Sequence, residues 1–208
     1  MKIGAAGHEF FAQNLNYGTM ISGAVGSNQS DDNTVEKYCY NDDPVNCEKY
    51  GALYQWAEAM AFPSACNTNA TGSALCPNTL TIPPTPNEPA GRQQQGLCPS
   101  GWHVMTDGEW STVASGNANL GDETRSATAG WATSLWNGNY HGFSAVPSGT
   151  RKVTGDFFFL GTRAYYWVAI EYSSTMATNE SIMDNSQYIN TSNGDKNIGF
   201  VIRCTKNW

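Results

Sequence analysis

The 208-residue chain predicts an α+β fold, loop-rich, in which two helices flank short antiparallel strands. Two observations place the helices. Leu53, Trp56 and Met60 recur at helical spacing across residues 50–60. Thr106-Asp107-Gly108-Glu109 reads as a capping box, which opens a second helix over 107–115. A third observation places the sheet. Aromatic or apolar runs of strand length, Phe157–Leu160, Ala164–Trp167 and Gly199–Arg203, gather late in the chain with turn residues between them. No internal repeat is visible, so the order is a first strand, two helices, then several short strands.

Residues His8–Tyr17 read as that first strand running into a turn, and Gly18–Asn33 as loop. Lys37–Cys47 forms a compact turn. Its Asp42-Asp43-Pro44 is read as turn chemistry, ahead of a calcium corner. The whole chain, 1–208, reads as one domain with an irregular insert at about 61–96, where Ile82-Pro83-Pro84-Thr85-Pro86 forbids regular structure. Leu97–Val104 enters a strand. In the helix that follows, Trp110 and Val113 point inward, and Asp107 and Glu109 suit the helix dipole better than a catalytic pair. A short aromatic helix is read around Trp131–Trp136, and Gly142–Arg151 as strand, turn and strand start.

A formal charge of −7 argues against a nucleic-acid partner or an anionic membrane, which call for a basic face. No apolar run is long enough to span a bilayer, so no membrane insertion is expected. The N-terminal residues Met1–His8 lack the apolar core of a signal peptide. The three histidines stand alone and no Cys-x-x-Cys pair occurs, so neither a metal site nor a cofactor is expected. No phosphate loop or nucleophile elbow offers an enzyme reading, and no catalytic residue is assigned.

The six cysteines allow many pairings. The spacing favours Cys39–Cys47 and Cys66–Cys76 as local staples, with Cys98–Cys204 as the long closure. The other reading is a reduced protein with buried thiols.

The segment from Ala164 to Cys204 has two firm ends around a middle rich in Ser, Thr, Asn and Tyr. Such a composition suits a binding surface held by a scaffold, because Tyr gives contact area at low entropic cost while Ser and Asn give adaptable hydrogen bonds.

Several motifs occur together and in order: Lys37-Tyr38-Cys39-Tyr40-Asn41, Gly51–Trp56, Gly96–His103, Glu109-Trp110, Gly142-Phe143-Ser144-Ala145 and Gly199–Cys204. On these the chain resembles the Fibrobacter succinogenes major paralogous domain. The resemblance implies a C-type lectin-like fold whose termini come together, similar also to the formylglycine-generating fold. It departs at one place. The family usually continues Tyr-Trp with Ser-Ser-Thr-Glu, whereas here Trp167 is followed by Val168-Ala169-Ile170 before Glu171. That change and the polar stretch after it resemble the variable proteins of diversity-generating retroelements. Their mutated codons never yield Trp, Glu, Gln, Lys or Met. Trp167, Glu171, Met176, Glu180, Met183, Gln187 and Lys196 would then be framework.

The function expected is that of a non-catalytic ligand-binding protein, its variable region at about 164–204 diversified by a retroelement. The alternative is a non-diversified adhesion or carbohydrate-binding domain. The partner would be a protein or glycan on another cell or virus, and the location extracellular, on a cell or virion surface. Ligand contact is expected at Val168, Ala169, Ile170, Tyr172, Ser174, Asn179, Ser181, Asp184, Asn185 and Tyr188, with Trp102, Trp110, Trp167 and Phe200 in the core. Calcium-dependent sugar binding is not expected, because only Asn87-Glu88-Pro89 resembles its motif and the order is wrong. An oxidase of the formylglycine type would need two reactive cysteines, which are better explained as staples.

Overall fold

The computed structural model describes residues 2–3, 8–80, 93–113, 125–126, 130–132, 139 and 142–207. Strands dominate: β1 Lys2–Ile3, β2 His8–Glu9, β3 Thr19–Met20, β4 Glu36–Lys37, β5 Trp102–Val104, β6 Ser148–Arg151, β7 Phe157–Leu160, β8 Arg163–Glu171, β9 Met176–Met183, β10 Ile189–Asp195 and β11 Cys204–Lys206. The α-helices are short: α1 Pro44–Tyr50, α2 Trp56–Ala59 and α3 Asp107–Val113. The main sheet is a curled half-barrel of five strands in the order β10-β9-β8-β6-β7. It is mixed, with β6 parallel to β8 and every other neighbouring pair antiparallel. The expected α+β, C-type lectin-like arrangement of two helices flanking short antiparallel strands is therefore not what this chain forms.

The first expected helix shows why. Residues 50–60 straddle the end of one helix and the start of another. Gly51 sits at φ 84, a left-handed conformation that terminates α1, and a Cβ there would stand 2.3 Å from Cβ of Asn14. Leu53 then pairs with Tyr38 and Tyr54 with Phe200 as isolated bridges before α2 makes its single turn. Leu53, Trp56 and Met60 are all buried, so their inward direction was legible although the element was not. Asp43 caps α1 by accepting from the Val45 N–H at 3.0 Å. The capping box of α3 is present: the Thr106 hydroxyl accepts from the Glu109 N–H at 3.2 Å, and the Glu109 carboxylate accepts from the Thr106 N–H at 2.9 Å. His103, buried, holds the same carboxylate through Nε2 at 3.1 Å and meets Asn207 through Nδ1.

β8 is the spine of the core. Ala164, Tyr166 and Val168 face a cluster with Trp110, Phe143 and Val201, while Trp167 and Ala169 face a second with Trp56, Phe200 and Ile202. A strand buried on both faces loses the polar-apolar alternation of a half-exposed one. Beyond the Gly149–Ala164 bridge, β6 and β8 part. The segment from Gly199 to Val201 enters between them, pairing with Arg151 on one side and Tyr166 on the other. The two ends of the chain meet here: Phe10 bridges Thr205, Phe11 N–H donates to Cys204 O, and Lys206 pairs with Glu9.

Three disulfides form, Cys39–Cys47, Cys66–Cys76 and Cys98–Cys204, the last with Cα atoms 5.8 Å apart. Such bonds persist in oxidising, extracellular surroundings. Residues 61–80 put Phe62, Cys66, Cys76 and Leu80 into the core. Ile82–Pro89 lies outside the described residues, as do residues 133–136 of the short helix expected around Trp131–Trp136. Among the described residues, no helix is long and apolar enough to cross a membrane and no cluster of ligating side chains could hold a metal.

Candidate functional site

β8, β9 and β10 run as a meander, so the turns 172–175 and 184–188 lie at opposite ends of β9. Eight residues of strand separate them by roughly 23 Å, at about 3.3 Å per residue. The expected contact residues divide accordingly. Tyr172, 66% exposed, and Ser174 are at the first turn, while Tyr188, 44% exposed, Asn185 and half-buried Asp184 are at the second. The structure thus does not join Tyr172 and Tyr188 into one patch.

Four of the expected residues are interior. Val168 and Ala169 fill the two core clusters on either side of β8, at a bulge between Trp167 and Glu171, and Val168 O accepts from the Trp56 indole at 3.1 Å. Asn179 and Ser181 are buried in the β9–β10 ladder, bonding to Ser192 O and Asn190 O. These side chains are packing, not a contact surface, and Ile170 is half-buried. Of the expected core aromatics, Trp110, Trp167 and Phe200 are buried and Trp102 is half-buried against Phe11.

Each turn is held from beneath by one buried cation. Lys196, fully buried, donates from Nζ to Ser174 O at 3.1 Å, Cys66 O at 2.9 Å and Asn69 O at 3.4 Å, and pairs with the Glu171 carboxylate at 2.6 Å. Its ammonium also lies 4.6 Å from the centre of the Trp56 ring. Glu171 in turn accepts from the Thr71 hydroxyl at 2.7 Å and the Thr71 N–H. Burial alone would raise the Glu171 carboxyl, but the hydrogen bonds from Lys196 and Thr71 outweigh it and hold it below its ordinary value. The first turn is therefore tied to the loop closed by Cys66–Cys76. Within it, Ser173 Oγ accepts from Met176 N–H at 3.1 Å.

At the other end, buried Arg125 donates to the carbonyls of Met183, Asp184 and Ser186. Lys196 and Glu171 were legible as framework from the codon argument. Arg125 was not, since its only signal is a lone cation in a Gly-, Ser- and Thr-rich stretch. Between the turns, every rung from Thr178–Asn193 to Ser181–Asn190 carries polar side chains, and Glu180 accepts from the Thr191 hydroxyl at 2.9 Å. Burial pushes the Glu180 carboxyl up to about 7 against that hydrogen bond, and the charge of Asp107 adds to the rise.

What this arrangement offers chemically is a fixed display. The turn 172–175 projects a tyrosine ring and hydroxyl groups into solvent from a backbone that cannot relax without opening a buried ion pair. No curated protein and no solved structure matches the chain. A family model does, that of the Fibrobacter succinogenes major domain, over residues 1–206. With its motifs spread along that length, the chain belongs to the Fibrobacter succinogenes major domain family.

Proposed function

We propose that the chain is a non-catalytic ligand-binding domain that works outside the cell and contacts its partner through the turn 172–175. The observation that carries this is the Lys196–Glu171 clamp beneath an exposed Tyr172. A large side chain on a pre-organised turn loses little entropy on binding. All six cysteines are held in disulfides, which leaves no thiol for chemistry and suits an oxidising location such as a cell or virion surface.

Diversification by a retroelement is the finer part of this reading. Val168-Ala169 no longer supports it, because those residues are interior. It rests on the exposed, codon-reachable Tyr172, Ser174, Asn185 and Tyr188, and on Trp167, Glu171, Glu180 and Lys196 being buried or clamped framework. A neighbouring reverse transcriptase gene with a near-copy of the 3′ end of this gene would support diversification. Their absence would leave the adhesion or carbohydrate-binding reading on the same turn.

The binding claim is tested by screening the folded chain on arrays of glycans and of cell-surface proteins, beside a variant with the exposed Tyr172 and Ser174 both changed to Ala. The expected result is that the variant folds and loses the hits. Retention of every hit, or no hit by the parent, would overturn the proposal.

A further inference from the structure

The five-stranded sheet has two edge strands, β7 and β10, and they are built differently. β7 is four residues long and bends at Phe159, whose φ is 68. The Lys152 and Arg163 cations lie over the Phe159 ring, at 5.7 and 4.3 Å from its centre. Short length, a local bend and cations are devices by which edge strands avoid pairing with another chain. β10 has none of them. It runs seven residues, Ile189 to Asp195, in unbroken register with β9 and without Pro, Lys or Arg.

Which backbone groups of β10 face outward follows from the bonds of the inner strands. Trp167 N–H donates to Val201 O, and Val201 N–H donates to Tyr165 O. Tyr165 and Trp167 thus turn their backbone groups away from β9, and Tyr166 turns its own toward its β9 neighbour Glu180. Glu180 in turn faces away from β10, while Asn179 and Ser181 bond to Ser192 and Asn190. Lys196 N–H donating to Thr175 O continues the same alternation past the strand's end. Ile189, Thr191 and Asn193 therefore point their N–H and C=O groups out of the sheet. Those groups have no partner among the described residues, and Thr191, Ser192 and Asn193 are exposed.

A row of donor and acceptor pairs at every second residue matches another extended backbone. A second copy of β10 is a poor occupant. Two-fold pairing would be antiparallel and would bring Asp195 of each chain against the turn of the other that carries Asp184. Both carboxylates are on half-buried residues, and like charges brought together across strands destabilise the pair. Lys196 and Arg125 do not offset them at the edge, because both are buried and donate to turn carbonyls. A strand with a cation at each end meets both carboxylates instead.

We propose that the edge of β10 docks an extended segment of a partner protein as a sixth strand. The segment is uncharged opposite Thr191–Asn193 and carries Lys or Arg at both ends. This site is additional to the Tyr172 turn and stands whether or not that turn binds.

The probe is a displayed library of short random peptides, selected on the folded chain. Selected peptides are titrated against the parent, Thr191→Pro, Asn193→Pro and Thr191→Ala. Proline at 191 or 193 removes an outward N–H and leaves the bonds to β9, as an edge strand tolerates. Thr191→Ala controls for the bond from the Thr191 hydroxyl to Glu180. Amide hydrogen exchange is followed on the parent with and without peptide.

The expected peptides carry Lys or Arg at both ends and no Pro at the centre. Both Pro variants should lose about tenfold or more in affinity, and Thr191→Ala should bind as the parent does. In the parent, the Thr191 and Asn193 amides should exchange fast when free and slow on binding, with Ser192 slow throughout. That readout needs no variant and holds even if a Pro variant fails to fold. The proposal is overturned if no peptide is selected, if acidic peptides are selected, or if bound peptides leave the 191 and 193 amides fast. Normal binding by a folded Pro variant would also overturn it. So would a dimer of the chain alone with those amides already slow, which would make a second copy the occupant.

Discussion

Lys196 and Arg125 play matching parts at the two ends of β9, each satisfying the carbonyls of a turn that the sheet leaves unpaired. Removing the charge at Lys196 leaves the Glu171 carboxylate without its countercharge, held by Thr71 alone, and takes the ammonium donor from three carbonyls. Breaking a buried pair in this way costs about 3–5 kcal/mol. Lys196→Met should lower stability by that order in chemical denaturation, and a loss below ~1 kcal/mol would show that the clamp is not holding the turn. Glu180, only 3% exposed, makes a different prediction. Its carboxyl titrates near 7 in the fold against 4.5 as the ordinary value. The folded state therefore holds a proton that the unfolded state has released between those pH values. Stability should fall as pH rises from about 4.5 to about 7 and level off above it. Glu180→Gln should flatten that decline and raise stability at pH 8 by roughly 1–3 kcal/mol. Glu58, which burial likewise raises to about 7, should supply a residual slope. A Tm for the parent that climbs steadily from pH 5 to pH 8 would contradict this account of Glu180.

Among the elements, the capping box at Thr106 and Glu109 and the aromatic strand at Phe157–Leu160 could be read directly, because each depends on neighbours in sequence. The helix at 50–60 could not. Its apolar spacing is real, but Gly51 and the bridges of Leu53 to Tyr38 and Tyr54 to Phe200 are set by distant partners, and tertiary pairing overrides local propensity. Gly51→Ala should cost about 1–3 kcal/mol, since it combines a left-handed φ with the 2.3 Å approach to Asn14. The same limit explains Val168-Ala169-Ile170. An apolar triplet replacing a polar one looks like an altered surface, and only the position of β8 between two core clusters shows Val168 and Ala169 to be interior. The Cys66–Cys76 loop belongs to this scale as well. Changing both cysteines to Ser should cost roughly 2–3 kcal/mol in the loop-entropy picture. Because Cys66 O and Asn69 O are ligands of Lys196, it should also speed amide hydrogen exchange at 172–175. Unchanged exchange there would uncouple the loop from the turn.

For the whole molecule, the sequence carried the family and the cysteine pairs, because ordered motifs survive without coordinates and two close pairs leave Cys98 and Cys204 for each other. The sheet topology was not legible. The entry of Gly199–Val201 between β6 and β8 joins residues some 35–50 positions apart, and no local pattern marks it. The division of the polar segment into two ends of one strand was likewise hidden until the meander was known. That division makes the most direct test of the binding site simple. Once the array supplies a partner, its affinity should be measured for the parent, Tyr172→Ala and Tyr188→Ala. Both side chains are exposed, so neither change should shift Tm by more than about 2 °C. The account predicts that Tyr172→Ala weakens binding by about tenfold or more, while Tyr188→Ala, some 23 Å away by strand rise, binds as the parent does. Equal affinity of the parent and Tyr172→Ala, or a loss confined to Tyr188→Ala, would contradict it.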